Sequence, residues 1–65
     1  MKNIKDYDLE ELKQEFIELG EKAYRANQVF EWLYVSQVNT FDEMTNLSIE
    51  LREKLKKNFT MENFK

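Results

Sequence analysis

The chain has 65 residues, with ten lysines and arginines against thirteen aspartates and glutamates, and a formal net charge of −3. A chain of this length forms one domain with a small core. It contains no cysteine and no histidine, which excludes disulfides, thiolate metal sites and the usual general base. We therefore expect no catalysis by this chain alone. No apolar run reaches the ~20 residues of a membrane span, and no secretion signal opens the chain, so the simplest interpretation is a cytoplasmic protein. We also expect it to be monomeric.

Charge is distributed unevenly along the chain. Residues 1–50 carry five basic and eleven acidic side chains, whereas residues 51–65 carry five basic and two acidic ones. A polyanion should therefore prefer the C-terminal part, although the acidic remainder limits non-specific affinity. The sequence has no proline, a single glycine, no repeat and no low-complexity tract, so nothing marks a linker or a second domain.

The first predicted helix begins near Asp8, which can cap it while Glu11 reaches back in a capping box. Its apolar residues recur at spacings of three and four, which places them on one stripe. They are Leu9, Leu12, Phe16 and Leu19. Gly20 follows and supplies the left-handed position that ends many helices.

The second predicted helix runs from about Ala23 to Ser36. Its inner face is expected to hold four apolar residues, with an aromatic residue beside them. They are Ala26, Val29, Phe30 and Leu33, with Tyr34 adjacent. A single helical turn ending near Thr45 should come next, because Thr40 and Glu43 have the spacing of a second capping box.

The last predicted helix is capped by Ser48. Its apolar side carries Leu51, Leu55 and Phe59, and Leu47 packs at its entrance. We expect Phe41 and Met44 in the core, and we expect residues 60–65 to fray or to continue into a longer protein. No stretch has the alternation of a half-buried strand. The sequence therefore predicts an all-α bundle of three main helices and one short helix.

A second stripe on the second predicted helix carries polar and aromatic side chains. Arg25, Gln28 and Trp32 stand at i, i+3 and i+7, and Tyr24 adjoins Gln28. A guanidinium suits phosphate and aromatic rings suit an unstacked base, so this stripe is a candidate RNA contact. The alternative is structural, with Trp32 closing the edge of the core and Arg25 paired with a carboxylate.

Two lysines of the last predicted helix have an ordinary explanation. Glu50 precedes Lys54 by four residues, and Glu53 precedes Lys57 by four. That order is the favourable one for ion pairs within a helix. We therefore expect these lysines to be paired and solvated rather than free for a polyanion.

Three other cations are better candidates for phosphate contact. Arg52 and Lys56 have no acidic residue four positions before them, and Lys22 stands just before the second helix. The nearby carboxylates of Asp42 and Glu43 do not indicate acid–base catalysis. Glu43 is explained by capping, and Asp42 lies in a first turn where negative charge is favourable.

Two stretches resemble a known family. Residues 20–34 read G-E-K-A-Y-R-A-N-Q-V-F-E-W-L-Y and resemble the G-E-x-x-[YF]-R-A-x-Q-[IV]-x-x-W-[IL]-Y segment near the start of the RlmN/Cfr radical-SAM RNA methyltransferases. Residues 41–48, which read F-D-E-M-T-N-L-S, and the following L-R-E-K-L at 51–55 resemble the family's next segment at its usual distance. The resemblance covers roughly residues 8–59.

The resemblance implies the chemistry of a longer parent enzyme. Members of the family methylate C2 of adenine in 23S rRNA and, for RlmN, in certain transfer RNAs. They use S-adenosylmethionine and a 4Fe–4S cluster held by C-x-x-x-C-x-x-C, with two further cysteines in methyl transfer. This chain has none of those cysteines, so we expect no cofactor, no metal and no catalytic residue within it. Ala23 replaces a proline that is common in the family, a change that the start of a helix tolerates.

The resemblance also implies a role for residues 1–65. The corresponding domain of the family is similar to a helix-hairpin-helix module and contacts RNA while the catalytic barrel does the chemistry. We therefore expect a single N-terminal accessory domain that positions an rRNA or tRNA stem-loop. The expected phosphate contacts are Lys22, Arg25, Arg52 and Lys56, and the expected sugar or base contacts are Tyr24, Gln28 and Trp32.

Two other functions stay open on the sequence. In the first, the domain is a docking module whose Tyr24–Trp32 stripe packs on the parent's catalytic domain and helps the enzyme to fold or close. In the second, it is a stand-alone helix-turn-helix protein that binds DNA. The second is weaker, because an extra turn separates the second and third main helices and the net charge is acidic.

Overall fold

Helices make up most of the fold, as the sequence predicted. The computed structural model describes residues 2–61, and within that range it has three α-helices and two 3-10 turns. The α-helices are α1 (Leu9–Glu18), α2 (Ala23–Tyr34) and α3 (Ile49–Asn58). The 3-10 segments, here called the N-terminal turn and the middle turn, are Ile4–Asp6 and Phe41–Glu43. Two short strands, β1 (Lys2–Asn3) and β2 (Phe59–Thr60), pair in parallel.

Both ends of α1 follow from local signals. Asp8 Oδ1 accepts from the Glu11 amide at 2.8 Å, and Glu11 Oε1 accepts from the Asp8 amide at 3.0 Å, which is the predicted capping box. At the other end Gly20 adopts φ +81°. The amide of Glu21 then donates to the Phe16 carbonyl at 2.8 Å. This Schellman arrangement satisfies carbonyls that the helix leaves unpaired and turns the chain towards α2.

The helix α2 begins at Ala23 as predicted but ends at Tyr34, two residues before the predicted end at Ser36. The chain leaves the helical path at Gln37, which has a left-handed φ of +54°. Val38 then returns to the core, with 7% of its surface exposed. Burial of that valine favours the turn over two more helical residues, because apolar burial outweighs the small propensity for helix extension.

The predicted capping box of Thr40 and Glu43 is present at the middle turn. The Glu43 carboxylate accepts from the Asn39 and Thr40 amides at 2.8 Å each. These hydrogen bonds favour the charged form and hold the pKa of Glu43 below its ordinary value. The turn ends at Glu43 rather than near Thr45. Phe41 and Met44 are buried, as expected from the sequence.

The helix α3 is capped as predicted, with Ser48 Oγ accepting from the Leu51 amide at 3.1 Å. It ends at Asn58, so the prediction that Phe59 continues the helix was wrong. Phe59 is buried but lies in β2 with Thr60, which also corrects the expected fraying at residue 60. Met61, the next residue, is partly buried against the core. The rest of that expectation, for residues 62–65, lies outside the described residues.

The N-terminal segment is the part of the fold that the sequence did not predict. Lys2 pairs with Phe59 and Asn3 with Thr60 in the parallel ladder. Ile4 is fully buried. Tyr7 packs edge-to-face on Phe59, with ring centroids 5.6 Å apart. The segment therefore joins the start of the chain to the end of α3.

The three α-helices, both 3-10 turns and β2 contribute to one core. Its buried apolar residues are Ile4, Leu12, Phe16, Ala26, Val29, Leu33, Val38, Phe41, Met44, Leu47, Leu51, Leu55 and Phe59. Phe30, predicted on the inner face of α2, is only partly buried against this core, and the same is true of Leu19. None of the helices in residues 2–61 is long and apolar enough to cross a membrane.

Candidate nucleic-acid interface

Three side chains near the start of α2 form a connected array. The Arg25 guanidinium lies over the Tyr24 ring, with Cζ 4.9 Å from the ring centroid. Arg25 Nη1 also donates to Gln28 Oε1 at 2.9 Å. Within residues 2–61 the alternative in which Arg25 pairs with a carboxylate is therefore wrong, since its partners there are the Gln28 amide and the Tyr24 ring. These two contacts hold the guanidinium in a defined plane.

The contacts of Trp32 fit the structural alternative, in which this residue closes the edge of the core. Its indole Nε1 donates to Asn46 Oδ1 at 2.6 Å, and its ring is partly buried against the core. The hydrogen bond ties α2 to the loop that precedes α3. Because the N–H is used, only the exposed part of the ring is open to a ligand.

Lys22 extends the array to the N-terminus of α2. It is exposed and makes no ion pair with any residue that the structure describes. It occupies the N-cap position of α2, where no side chain caps the helix, so the first amides of α2 add a partial positive charge. We call Lys22, Tyr24, Arg25 and Gln28 the α2 patch.

The two phosphate candidates on α3 meet at one acidic residue. Lys56 Nζ lies 2.8 Å from Asp42 Oδ1 and 2.9 Å from Oδ2. Arg52 Nη1 donates to the main-chain carbonyl of Asp42 at 3.1 Å. We call Asp42, Arg52 and Lys56 the Asp42 cluster. The hydrogen bond between the two side chains lowers the pKa of Asp42 and raises that of Lys56, so both stay charged at neutral pH.

The predicted ion pairs within α3 were wrong. Lys54 reaches Glu21 in the loop before α2, with Nζ 2.7 Å from Oε2, and it also contacts the Leu19 carbonyl at 3.3 Å. An ion pair within a helix stabilises it by only tenths of a kcal/mol. The partly buried Glu21 carboxylate and the Leu19 carbonyl together therefore bind Lys54 in preference to Glu50. Glu53 lies 3.9 Å from Lys56 rather than pairing with Lys57.

Lys57 is the basic residue that the sequence reasoning missed. It was assigned a partner, yet it is exposed and has no ion pair within residues 2–61. The sequence pattern predicted an ion pair for Lys57, because Glu53 stands four residues before it, at the favourable spacing. Lys57 is therefore a further solvated cation on α3.

The candidate residues thus fall into two groups. Across residues 2–61, no hydrogen bond or ion pair connects the α2 patch to the Asp42 cluster. The two groups differ in how freely their cations can bind an anion. Within residues 2–61 the cations of the α2 patch have no acidic partner, whereas Lys56 is paired with Asp42. In the same range no three His, Cys, Asp or Glu side chains form a group that could hold a metal ion.

Comparison with known proteins gives consistent matches. Residues 2–61 match the family described as "Ribosomal RNA large subunit methyltransferase N-terminal domain". The chain is 54% identical over 63 residues to the "Probable dual-specificity RNA methyltransferase RlmN" of Bacillus velezensis. It is 52% identical over 59 residues to the protein of that name from Clostridium perfringens. These alignments cover 97% and 91% of this chain but 17% of each relative.

A solved structure has the same fold. The crystal structure of a radical SAM methyltransferase from Sphaerobacter thermophilus matches with a TM-score of 0.90 and 31% sequence identity. The match covers 94% of this chain and 18% of that one. The chain therefore spans less than a fifth of the length of the proteins that it resembles.

Proposed function

Because this chain belongs to the family of ribosomal RNA large subunit methyltransferase N-terminal domains, we propose that it binds structured RNA and positions it for a catalytic domain. In this proposal residues 1–65 are an accessory domain of a longer cytoplasmic enzyme. That enzyme methylates C2 of adenine in 23S rRNA and tRNA, with S-adenosylmethionine and a 4Fe–4S cluster held outside this chain. The relatives' name, a dual-specificity RNA methyltransferase, supports an RNA substrate.

The observation that carries the proposal is the α2 patch. Arg25 is fixed between the Tyr24 ring and the Gln28 amide, and a fixed guanidinium fork matches the non-bridging oxygens of a phosphate. Tyr24 is 50% exposed, so its other face can stack on an unpaired base. Gln28 uses its oxygen on Arg25, which leaves its amide N–H groups for a sugar or base acceptor.

The other candidate residues have supporting roles in this proposal. Lys22 adds a second solvated cation beside Arg25. Trp32 mainly holds α2 against the loop before α3 through Asn46, and its ring is partly exposed. Arg52 and Lys56 offer a separate phosphate contact on α3. Few cations are involved, so affinity of the isolated domain should be weak and should fall steeply with salt.

Substitutions at Arg25 test the proposal. Arg25→Gln should weaken binding to an rRNA or tRNA stem-loop by roughly tenfold at low salt, the size of one charge-assisted hydrogen bond. Arg25→Lys keeps the charge but loses the fork, so its affinity should be intermediate. Lys13→Gln is the matched control, since Lys13 lies on α1 and pairs with Glu10. Fluorescence anisotropy across a salt series measures the affinities. Equal losses for Arg25→Gln and Lys13→Gln would contradict a specific contact.

Docking on the parent's catalytic domain is a second candidate function. It is supported by apolar side chains that remain exposed, namely Val35 at 77% and Ile49 at 70%, in addition to Tyr24, because such side chains are common where another protein surface packs. Lys22→Glu separates the two functions, since this exposed residue has no ion pair in residues 2–61. The substitution should weaken RNA binding severalfold and leave association with a separately supplied catalytic domain nearly unchanged.

A further inference from the structure

The Asp42 cluster is built asymmetrically. The carboxylate of Asp42 faces the Lys56 ammonium with both oxygens, whereas Arg52 contacts only the main-chain carbonyl. The Nε–H of Arg52 is buried and has no hydrogen-bond partner within residues 2–61. Glu53 is a distant second anion at 3.9 Å from Lys56. The cluster therefore contains two cations from adjacent turns of α3, with one carboxylate in close contact.

A phosphodiester resembles the group that Lys56 already binds. Like a carboxylate, it carries one negative charge on two equivalent oxygens, and it accepts hydrogen bonds from ammonium and guanidinium groups. The Asp42 side chain is 65% exposed, so it can rotate into water without losing buried contacts. An exposed ion pair of this kind is weak, so replacing the Asp42 carboxylate by a phosphodiester at Lys56 requires little free energy.

We propose that Arg52 and Lys56 form a phosphodiester subsite that the Asp42 carboxylate occupies in the free domain and that RNA enters by displacing it. The inference rests on the RNA-binding function proposed above and adds a competitor to it. Asp42 then lowers the affinity of the subsite for any polyanion by the strength of its ion pair with Lys56. Within residues 2–61 the cations of the α2 patch have no such competing carboxylate.

Asp42→Asn is the direct test, because asparagine has nearly the same shape and keeps the carbonyl that Arg52 contacts. Glu50→Gln is the matched control, since it removes the same charge from an exposed position on α3 that makes no ion pair within residues 2–61. We expect Asp42→Asn to tighten binding to an RNA stem-loop roughly twofold to fivefold at low salt. Glu50→Gln should give less than half of that gain. The difference should shrink as salt screens the ion pair.

The same pair of substitutions in a Lys56→Gln background isolates the mechanism. There Asp42→Asn should give no more gain than Glu50→Gln, because no lysine remains to be released. A gain from Asp42→Asn that persists without Lys56, or one equal to that of Glu50→Gln in the wild type, would overturn the inference while RNA binding stands. Absence of RNA binding by the wild type and every variant at low salt would overturn both proposals. Thermal unfolding by circular dichroism confirms that each variant is folded.

Discussion

The N-terminal segment offers the sharpest test of the fold, because its contribution is large and was not expected from the sequence. Ile4 is fully buried in the core. Ile4→Ala removes a buried branched side chain of a kind whose loss costs about 2–5 kcal/mol. The segment is terminal and can separate locally, so the lower half of that range, about 2–3 kcal/mol, is expected. A domain of 65 residues has a total free energy of unfolding of only about 3–10 kcal/mol. The substitution should therefore remove a large fraction of the stability of the domain.

Ile49→Ala provides the same chemical change at a position that is 70% exposed. It should alter stability by less than about 0.5 kcal/mol. Urea denaturation followed by the fluorescence of Trp32, the single tryptophan, measures both variants. With a slope of about 1 kcal/mol per molar urea for a small domain, Ile4→Ala should lower the midpoint by about 2–3 M. Matching midpoints for the two variants would show that the N-terminal segment is not packed on the core in solution, and would refute this prediction.

Two further predictions concern local signals. Gly20→Ala should lower the free energy of unfolding by about 1 kcal/mol. The cause is conformational, because φ at this position is +81° and an added Cβ meets nothing within 4 Å. Gly20→Asn should lower it less in the same urea assay, and equal losses for the two variants would contradict a conformational origin. Glu43 has a lowered pKa in the folded state, caused mainly by hydrogen bonds from the Asn39 and Thr40 amides. Its contribution to stability is therefore present above its ordinary pKa of 4.5 and lost as pH falls through the folded value. The stability difference between wild type and Glu43→Gln should be largest at neutral pH and shrink by about pH 3, whereas a constant difference would exclude this linkage.

The helices could be predicted because their signals are local. The capping boxes at Asp8 and Thr40 each use residues three positions apart, and Gly20 marks a helix end by its own conformation. The helix ends that depend on distant contacts could not be predicted in this way. The helix α2 stops early because Val38 turns back into the core, and α3 stops at Asn58 because the next residue pairs with β1.

The parallel strand pair could not be predicted from the sequence either, because it also depends on contacts between distant residues. Each strand has two residues, too few to produce an alternating pattern. The two strands are also more than fifty positions apart in the sequence, since Lys2 pairs with Phe59. A pairing this remote is stabilised by the burial of neighbouring residues rather than by its own sequence. Ile4 and Phe59 supply that burial, and nothing in the sequence pattern shows that they share one core.

The candidate interface shows where sequence spacing stops being informative about charge. Spacing along α3 predicted ion-pair partners for Lys54 and Lys57 and none for Lys56. In the fold, Lys57 has no ion pair within residues 2–61, whereas Lys56 pairs with Asp42, fourteen positions away. Surface pairs contribute little free energy, so the tertiary neighbours that happen to be near decide which pair forms. A cation's availability for RNA is therefore a property of the fold, and on that basis Lys22 and Arg25 should contribute more to the first encounter with RNA than Arg52 and Lys56.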